Sequence, residues 1–230
     1  MTSISKSAQP RSAGGRRIQG LDAEQRKARR RDQILAAAFE LIAEDGYVNT
    51  AIEQICQTAF VGNKAFYELF DSKEACYLAL LQQLSDRSQQ AVAAALLESS
   101  GERDELVSVV ISAFAHSLVD DPRVAKVTFG EASGISANVE KQRRTNRRWA
   151  AQFLETLWRE NGFVPEGGID IDLHALAVST IGGLFDTVAD WLHHTDAGTS
   201  GEIDTLIRDL MAFADIVHLG LAAAGARSAG

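Results

Sequence analysis

The chain has 230 residues, 46% hydrophobic and 23% charged, which suits one or two domains with a sizeable core and excludes a disordered or fibrous protein. No stretch nears the roughly 18 uninterrupted apolar residues of a membrane span, the Ser-, Gly- and Arg-rich start lacks a secretory signal's apolar centre, and Cys56 and Cys76 alone exclude a disulfide-stapled scaffold or a four-cysteine zinc site and fit a reducing cytoplasm. The net charge of −8 hides a split: residues 1–31 carry nine basic and two acidic side chains, a net of +7, and the rest carries 14 basic against 29 acidic, a net of −15.

Residues 1–20 have almost nothing to bury and read as a disordered basic arm, which either contacts a polyanion or only solubilises the chain. From there on, scarce prolines (Pro10, Pro122 and Pro165 in all) and apolar spacings of three and four predict an all-α protein of about nine helices. The first runs from about Asp22 to Glu44, its apolar stripe Ile34, Leu35, Ala38, Leu41 and Ile42, with Gly46 ending it. Thr50 caps a short second helix, Ala51 to Thr58, with Glu53 completing a capping box. A break at Phe60–Gly62 leads to a third, about Asn63 to Leu69. Asp71 or Ser72 caps a long fourth helix through about Leu97. Further helices are expected at Glu102–Val119, Pro122–Gly130, Ile135–Glu160, Asp170–His194 and Glu202–Ala224, parted by Pro and Gly breakers.

Two short helices joined by a tight turn, the second polar outside, make a helix-turn-helix. Ile52 and Ile55 brace the second helix, and Phe66 and Phe70 anchor the third one turn apart. Asn63, Lys64, Ala65, Tyr67 and Glu68 then face outward, where a major groove admits one helix. The stretch from Arg31 to Leu81, with "AEDGY", "IEQIC", "AFYELF" and "DSKE" in order, resembles the DNA-binding domain of TetR-family transcriptional regulators. The resemblance covers about a fifth of the chain. It implies phosphate contacts from Thr50, Tyr67 and Lys73 and base contacts from Asn63, Lys64 and Ala65. It divides the chain into the arm at 1–20, a helix-turn-helix domain at 21–75 and a ligand-binding and dimerisation domain at 76–230. Phe60 stands where the family has Gly, and Gly62 where it has Ser or Thr, so Gly62 is expected to take over the left-handed position. From Asp32 to Ala75 only Lys64 and Lys73 face eight acidic residues, a net of −6. The arm and Arg29, Arg30 and Arg31 are therefore expected to supply much of the attraction to DNA.

The last helix carries a continuous apolar stripe, and the one before it has two apolar faces with Gly182-Gly183 between them, either a kink or a close approach. A four-helix homodimer interface through Ile181, Phe185, Leu206, Leu210, Phe213 and Val217 follows, with a near-palindromic operator. Phe114, Leu118, Phe129, Trp149 and Phe153 are plain core or, as the resemblance implies, the wall of a cavity for a small apolar effector, with His116, Asn146 and His174 as polar candidates. Asp190 and His194 share a face but fall short of a metal site. The cysteines are buried core or a redox pair, and Arg143, Arg144, Arg147 and Arg148 form a solvated face or contact an anion. No cofactor and no metal are expected. The whole reads as a dimeric, ligand-responsive, cytoplasmic repressor. A ligand-independent regulator is the alternative, and a helical enzyme a more distant one, since no nucleophile elbow is present.

Overall fold

A computed structural model describes residues 22–130, 135–163, 172–194 and 200–228. Among them are nine helices and no strand: α1 (Ala23–Asn49), α2 (Ile52–Thr58), α3 (Asn63–Tyr67), α4 (Lys73–Glu98), α5 (Arg103–Val119), α6 (Pro122–Phe129), α7 (Ala137–Glu160), α8 (Leu173–His194) and α9 (Ser200–Ser228). The predicted arm at 1–20 lies outside the described residues.

Local chemistry sets the helix starts. The Asp22 carboxylate accepts from the Gln25 N–H at 2.8 Å while the Gln25 side chain accepts from the Asp22 N–H at 3.0 Å, a reciprocal cap on α1. Ser72 accepts from the Ala75 N–H and Ser136 from the Val139 N–H, opening α4 and α7. Asp121 accepts from the Arg123 N–H ahead of Pro122, which starts α6 at a position needing no donor. The first helix is interrupted at Gly46, as expected. Gly46 takes φ 81° as a kink, and one more turn carries the helix to Asn49.

Two hydrophobic cores result. The first joins Ile34, Leu35, Ala38, Ile55, Phe66, Phe70, Tyr77 and Leu80 of α1–α4 and extends along α4 to Leu84. The second joins Val92 of α4 to α5, α7, α8 and α9. α4 thus serves both, and so does the eight-residue α6: Val127 packs in the first core, Ala125 and Phe129 in the second. The buried Tyr77 hydroxyl donates to the Val127 carbonyl at 2.7 Å, satisfying an acceptor in the last turn of α6. Gly130 closes α6. A Cβ there would lie 2.4 Å from the Lys126 carbonyl oxygen, so no side chain fits without moving backbone.

α8 is long and apolar enough, by length and composition alone, to cross a bilayer. Here Leu173, Ala177, Ile181, Leu184, Phe185, Val188 and Trp191 are buried in the protomer's own core. The helix is unbroken through its glycines, and a Cβ at Gly183 would meet the Phe213 ring at 3.2 Å, so close packing rather than a kink explains that position. This corrects part of the expected dimer interface. Ile181, Phe185, Leu206 and Leu210 are all at most 8% exposed and turn into the protomer's own core rather than outward. Amphipathic spacing identifies the apolar residues of a two-faced helix without saying which face turns inward. Val217 is half-buried, and the outward apolar face instead consists of Val178, Phe213, Ile216 and Leu219.

Candidate nucleic-acid interface and interior cavity

Recognition geometry begins with two anchors, Phe66 on α3 and Phe70 three residues past its end. Phe66 is fully buried and Phe70 nearly so, their ring centroids 5.6 Å apart, which holds a five-residue helix to the N-terminal core. Asn63, Lys64, Tyr67 and Glu68 are then exposed and Ala65 half-buried, in agreement with the expected outward set. Gly62 is the N-cap of α3 at φ −80°, an ordinary conformation. The left-handed residue is Phe60 itself, at φ 54° and 94% exposed. The expectation that Gly62 had taken over that position is overturned.

Arg29, Arg30 and Arg31 lie in the second and third turns of α1. Arg29 is exposed, Arg30 approaches Glu68 of the α3 end at 4.0 Å, and Arg31 lies 5.5 Å from the centre of the Phe70 ring. α1 therefore carries basic side chains to the margin of α3.

Thr50 and Lys73 sit behind this surface. Thr50 is 1% exposed and its hydroxyl donates to the Gly46 carbonyl at 2.8 Å. The cap residue of α2 is Ala51, whose N–H donates to the Gln54 side chain at 2.7 Å, so neither Thr50 nor Glu53 builds the expected box. Lys73 donates to the carbonyls of Tyr47 and Thr50, each at 2.8 Å, and of Val48 at 3.4 Å, and lies 4.3 Å from the centre of the Tyr47 ring. Its three N–H groups meet the freed carbonyls after the α1 kink, and burial pushes its pKa down. Arg29, Arg31 and the α3 end are exposed, whereas these two side chains fix the corner on which α2 and α3 stand.

The second core encloses a cavity of about 60 Å³ between α4, α5, α6, α7 and α8. Five expected residues line it: Phe114, Leu118, Phe129, Asn146 and Trp149. Phe153 stacks on Trp149 at 5.5 Å and lines a small neighbouring space. His116 and His174 do not reach it. They lie at the surface, paired with Asp120 at 2.8 Å and Glu155 at 3.0 Å. Arg143 and Arg147, expected on a solvated face or against an anion, face the cavity on successive turns of α7, flanking Asn146 and Ala150. The i,i+4 spacing within an otherwise apolar face was the available signal. Arg147 has Asp186 at 3.8 Å and the Phe185 ring below it, whereas burial pushes the Arg143 pKa down and, among the described residues, no carboxylate lies within ion-pair distance of it. The buried Thr128 hydroxyl also faces the cavity without a hydrogen-bond partner. An aromatic chamber with a cation and an unsatisfied hydroxyl suits an apolar molecule with an anionic or polar end.

Cys56 and Cys76 are both free and buried, and burial holds the Cys76 thiol at about 12, far from the thiolate a redox switch requires. Among the described residues no group of three or more His, Cys, Asp or Glu gathers as metal ligands.

Comparison with known proteins agrees with this geometry. Residues 34–80 match the family described as bacterial regulatory proteins, tetR family. The HTH-type transcriptional activator FasR of Mycolicibacterium smegmatis is 34% identical over 85 residues, which spans 37% of this chain and only 39% of that protein. The fatty acid metabolism regulator protein of Bacillus subtilis is 26% identical over 165 residues, 70% of this chain and 82% of that one. The crystal structure of the transcriptional regulator FadR from Bacillus subtilis in complex with stearoyl-CoA superposes with a TM-score of 0.60 at 23% identity, covering 84% of this chain and 98% of that one, and shows the same fold.

Proposed function

We propose that this chain, a TetR-family transcriptional regulator, is a homodimeric repressor that holds a near-palindromic operator and releases it when an acyl effector enters the cavity. The observation that carries this reading is the double allegiance of α6. Thr128 and Phe129 line the cavity, while Val127 just before them packs in the N-terminal core and accepts from Tyr77 of α4. A ligand that displaces Phe129 moves the element on which the helix-turn-helix rests. It favours whichever arrangement it fits better, by no more than its differential affinity for the two.

On the DNA side, Asn63, Lys64 and Ala65 meet bases, Gly62 brings the α3 N-terminus near the backbone, and Tyr67, Arg29, Arg30 and Arg31 meet phosphates. Thr50 and Lys73 serve by bracing the α1–α2 corner. The partner subunit packs on Val178, Phe213, Ile216 and Leu219, with Val217 at the margin. These side chains leave an apolar patch on an otherwise acidic body.

The acyl class is supported by the chemistry of the chamber and by the stearoyl-CoA bound to the Bacillus subtilis FadR. About 60 Å³ accommodates only part of such a chain, so entry requires the Trp149–Phe153 stack to move. The test takes a duplex selected from random sequence and follows its release with stearoyl-CoA, shorter acyl-CoAs and free coenzyme A. Acyl forms are expected to release DNA and raise the melting temperature, and free coenzyme A to do neither. If no acyl form does either, the chain is a ligand-independent regulator. FasR is named an activator, so the same promoter assayed by transcription in vitro separates repression from activation.

A further inference from the structure

The turn between α2 and α3 has its residues in an inverted arrangement. Phe60 occupies the left-handed conformation, φ 54°, while the glycine two positions on has an ordinary φ of −80° and open space where a Cβ would be. A left-handed backbone is strained for an L-residue, and a bulky side chain is among the least tolerated there. The Phe60 ring recovers nothing by burial. It is 94% exposed, more than any other large hydrophobic side chain described. Its exposed neighbours are Gln57 and Thr58 at the end of α2 and Asn63 and Lys64 at the start of α3, so the ring stands on the rim of the groove-facing surface. The same module is poor in cations, with a net charge of −6 from Asp32 to Ala75, and so gains little from counterion release.

We infer that Phe60 is a DNA-contact residue, its ring packing on apolar surface of the operator backbone or a thymine methyl beside the N-terminus of α3. The inference rests on the DNA-binding reading above. An apolar contact displaces no counterion, so its share of the affinity does not depend on salt.

Three variants separate strain from contact. Phe60→Gly and Phe60→Asn relieve the backbone and remove the ring, and Phe60→Tyr keeps both ring and strain. The unmodified chain first selects a duplex from random sequence, and that duplex is used throughout. The Gly and Asn variants are expected to melt about 1–3 °C higher yet to bind about tenfold more weakly. The deficit should be the same across roughly 50–200 mM salt, with an unchanged slope of log affinity against log salt. The Tyr variant should match the unmodified chain in both respects. Unaltered affinity in the Gly variant overturns the inference, and so does a deficit that vanishes as salt rises. If the unmodified chain selects no duplex at all, the DNA-binding reading itself falls, which is a different result from a duplex that all variants hold equally.

Discussion

The two cores of the molecule solve different problems. The DNA-binding core is small and closed: Ile34, Leu35, Ile55, Phe66 and Tyr77 are at most 1% exposed, and Lys73 satisfies three carbonyls left by the α1 kink. The C-terminal core is larger and incompletely satisfied. It holds an open chamber, a half-buried Arg143 without a carboxylate partner and a Thr128 hydroxyl without a hydrogen bond. A reading head must hold one posture, whereas a sensing chamber must gain something when a guest arrives. Unsatisfied groups in the chamber lower stability, and on the proposed function a ligand would supply the missing partners.

The sharpest way to break this contrast is to open the closed core. Phe66→Ala should lower unfolding free energy by about 3–5 kcal/mol, read by urea denaturation, since the ring is fully buried and anchors a helix too short to persist alone. A loss below about 1 kcal/mol would show that α3 is not held as described. Next in size is the removal of residues 1–30, which carry eight of the nine basic residues of the first 31. Operator affinity should fall roughly a hundredfold near 0.1 M salt, with a flatter salt slope, and an unchanged slope would refute a role for the arm.

The chamber gives a smaller effect of opposite sign. Arg143→Met keeps the aliphatic stem and removes a half-buried cation, so stability should rise by about 1 kcal/mol. Binding of an acyl-CoA should weaken in the same variant, and calorimetry reads both. A variant that loses stability would mean that Arg143 is already paired in the free protein.

The smallest effect is a pH edge in the DNA-binding core. Burial holds the thiol of Cys76 and the phenol of Tyr77 at about 12, against ordinary values of 9.0 and 10.0. Both are neutral when protonated, so their raised folded pKa values favour the native state below pH 9. That contribution is lost as the pH rises from 9 toward 12. Cys76→Ala should move the onset from near 9 to near 10 in alkaline melts.

Much of the fold was legible because long helices free of internal proline advertise themselves by period, and Phe66 and Phe70 fall one turn apart. The helix-turn-helix was legible because its short helices, anchors and breaks come in a fixed order. What failed did so for physical reasons. Gly46 reads as a stop and does break the helix, but the further turn that follows to Asn49 carries no signal of its own. Thr50 reads as a cap, yet its hydroxyl turns back to the Gly46 carbonyl. Ile181 and Leu210 read as interface, yet periodicity is blind to which apolar face turns inward. Arg143 and Arg147 read as a solvated face or an anion contact, because nothing local tells a helix face on a chamber from one on water.

Gly130 has a consequence for how such a protein can change. The chamber walls, Phe114, Trp149 and Phe185, are side chains that mutation can enlarge or trim. Gly130, beside Phe129, closes against the Lys126 carbonyl and admits no substituent. On the proposed function, descendants could therefore swap one guest molecule for another by single substitutions, while the joint beside Phe129 stays closed to side chains.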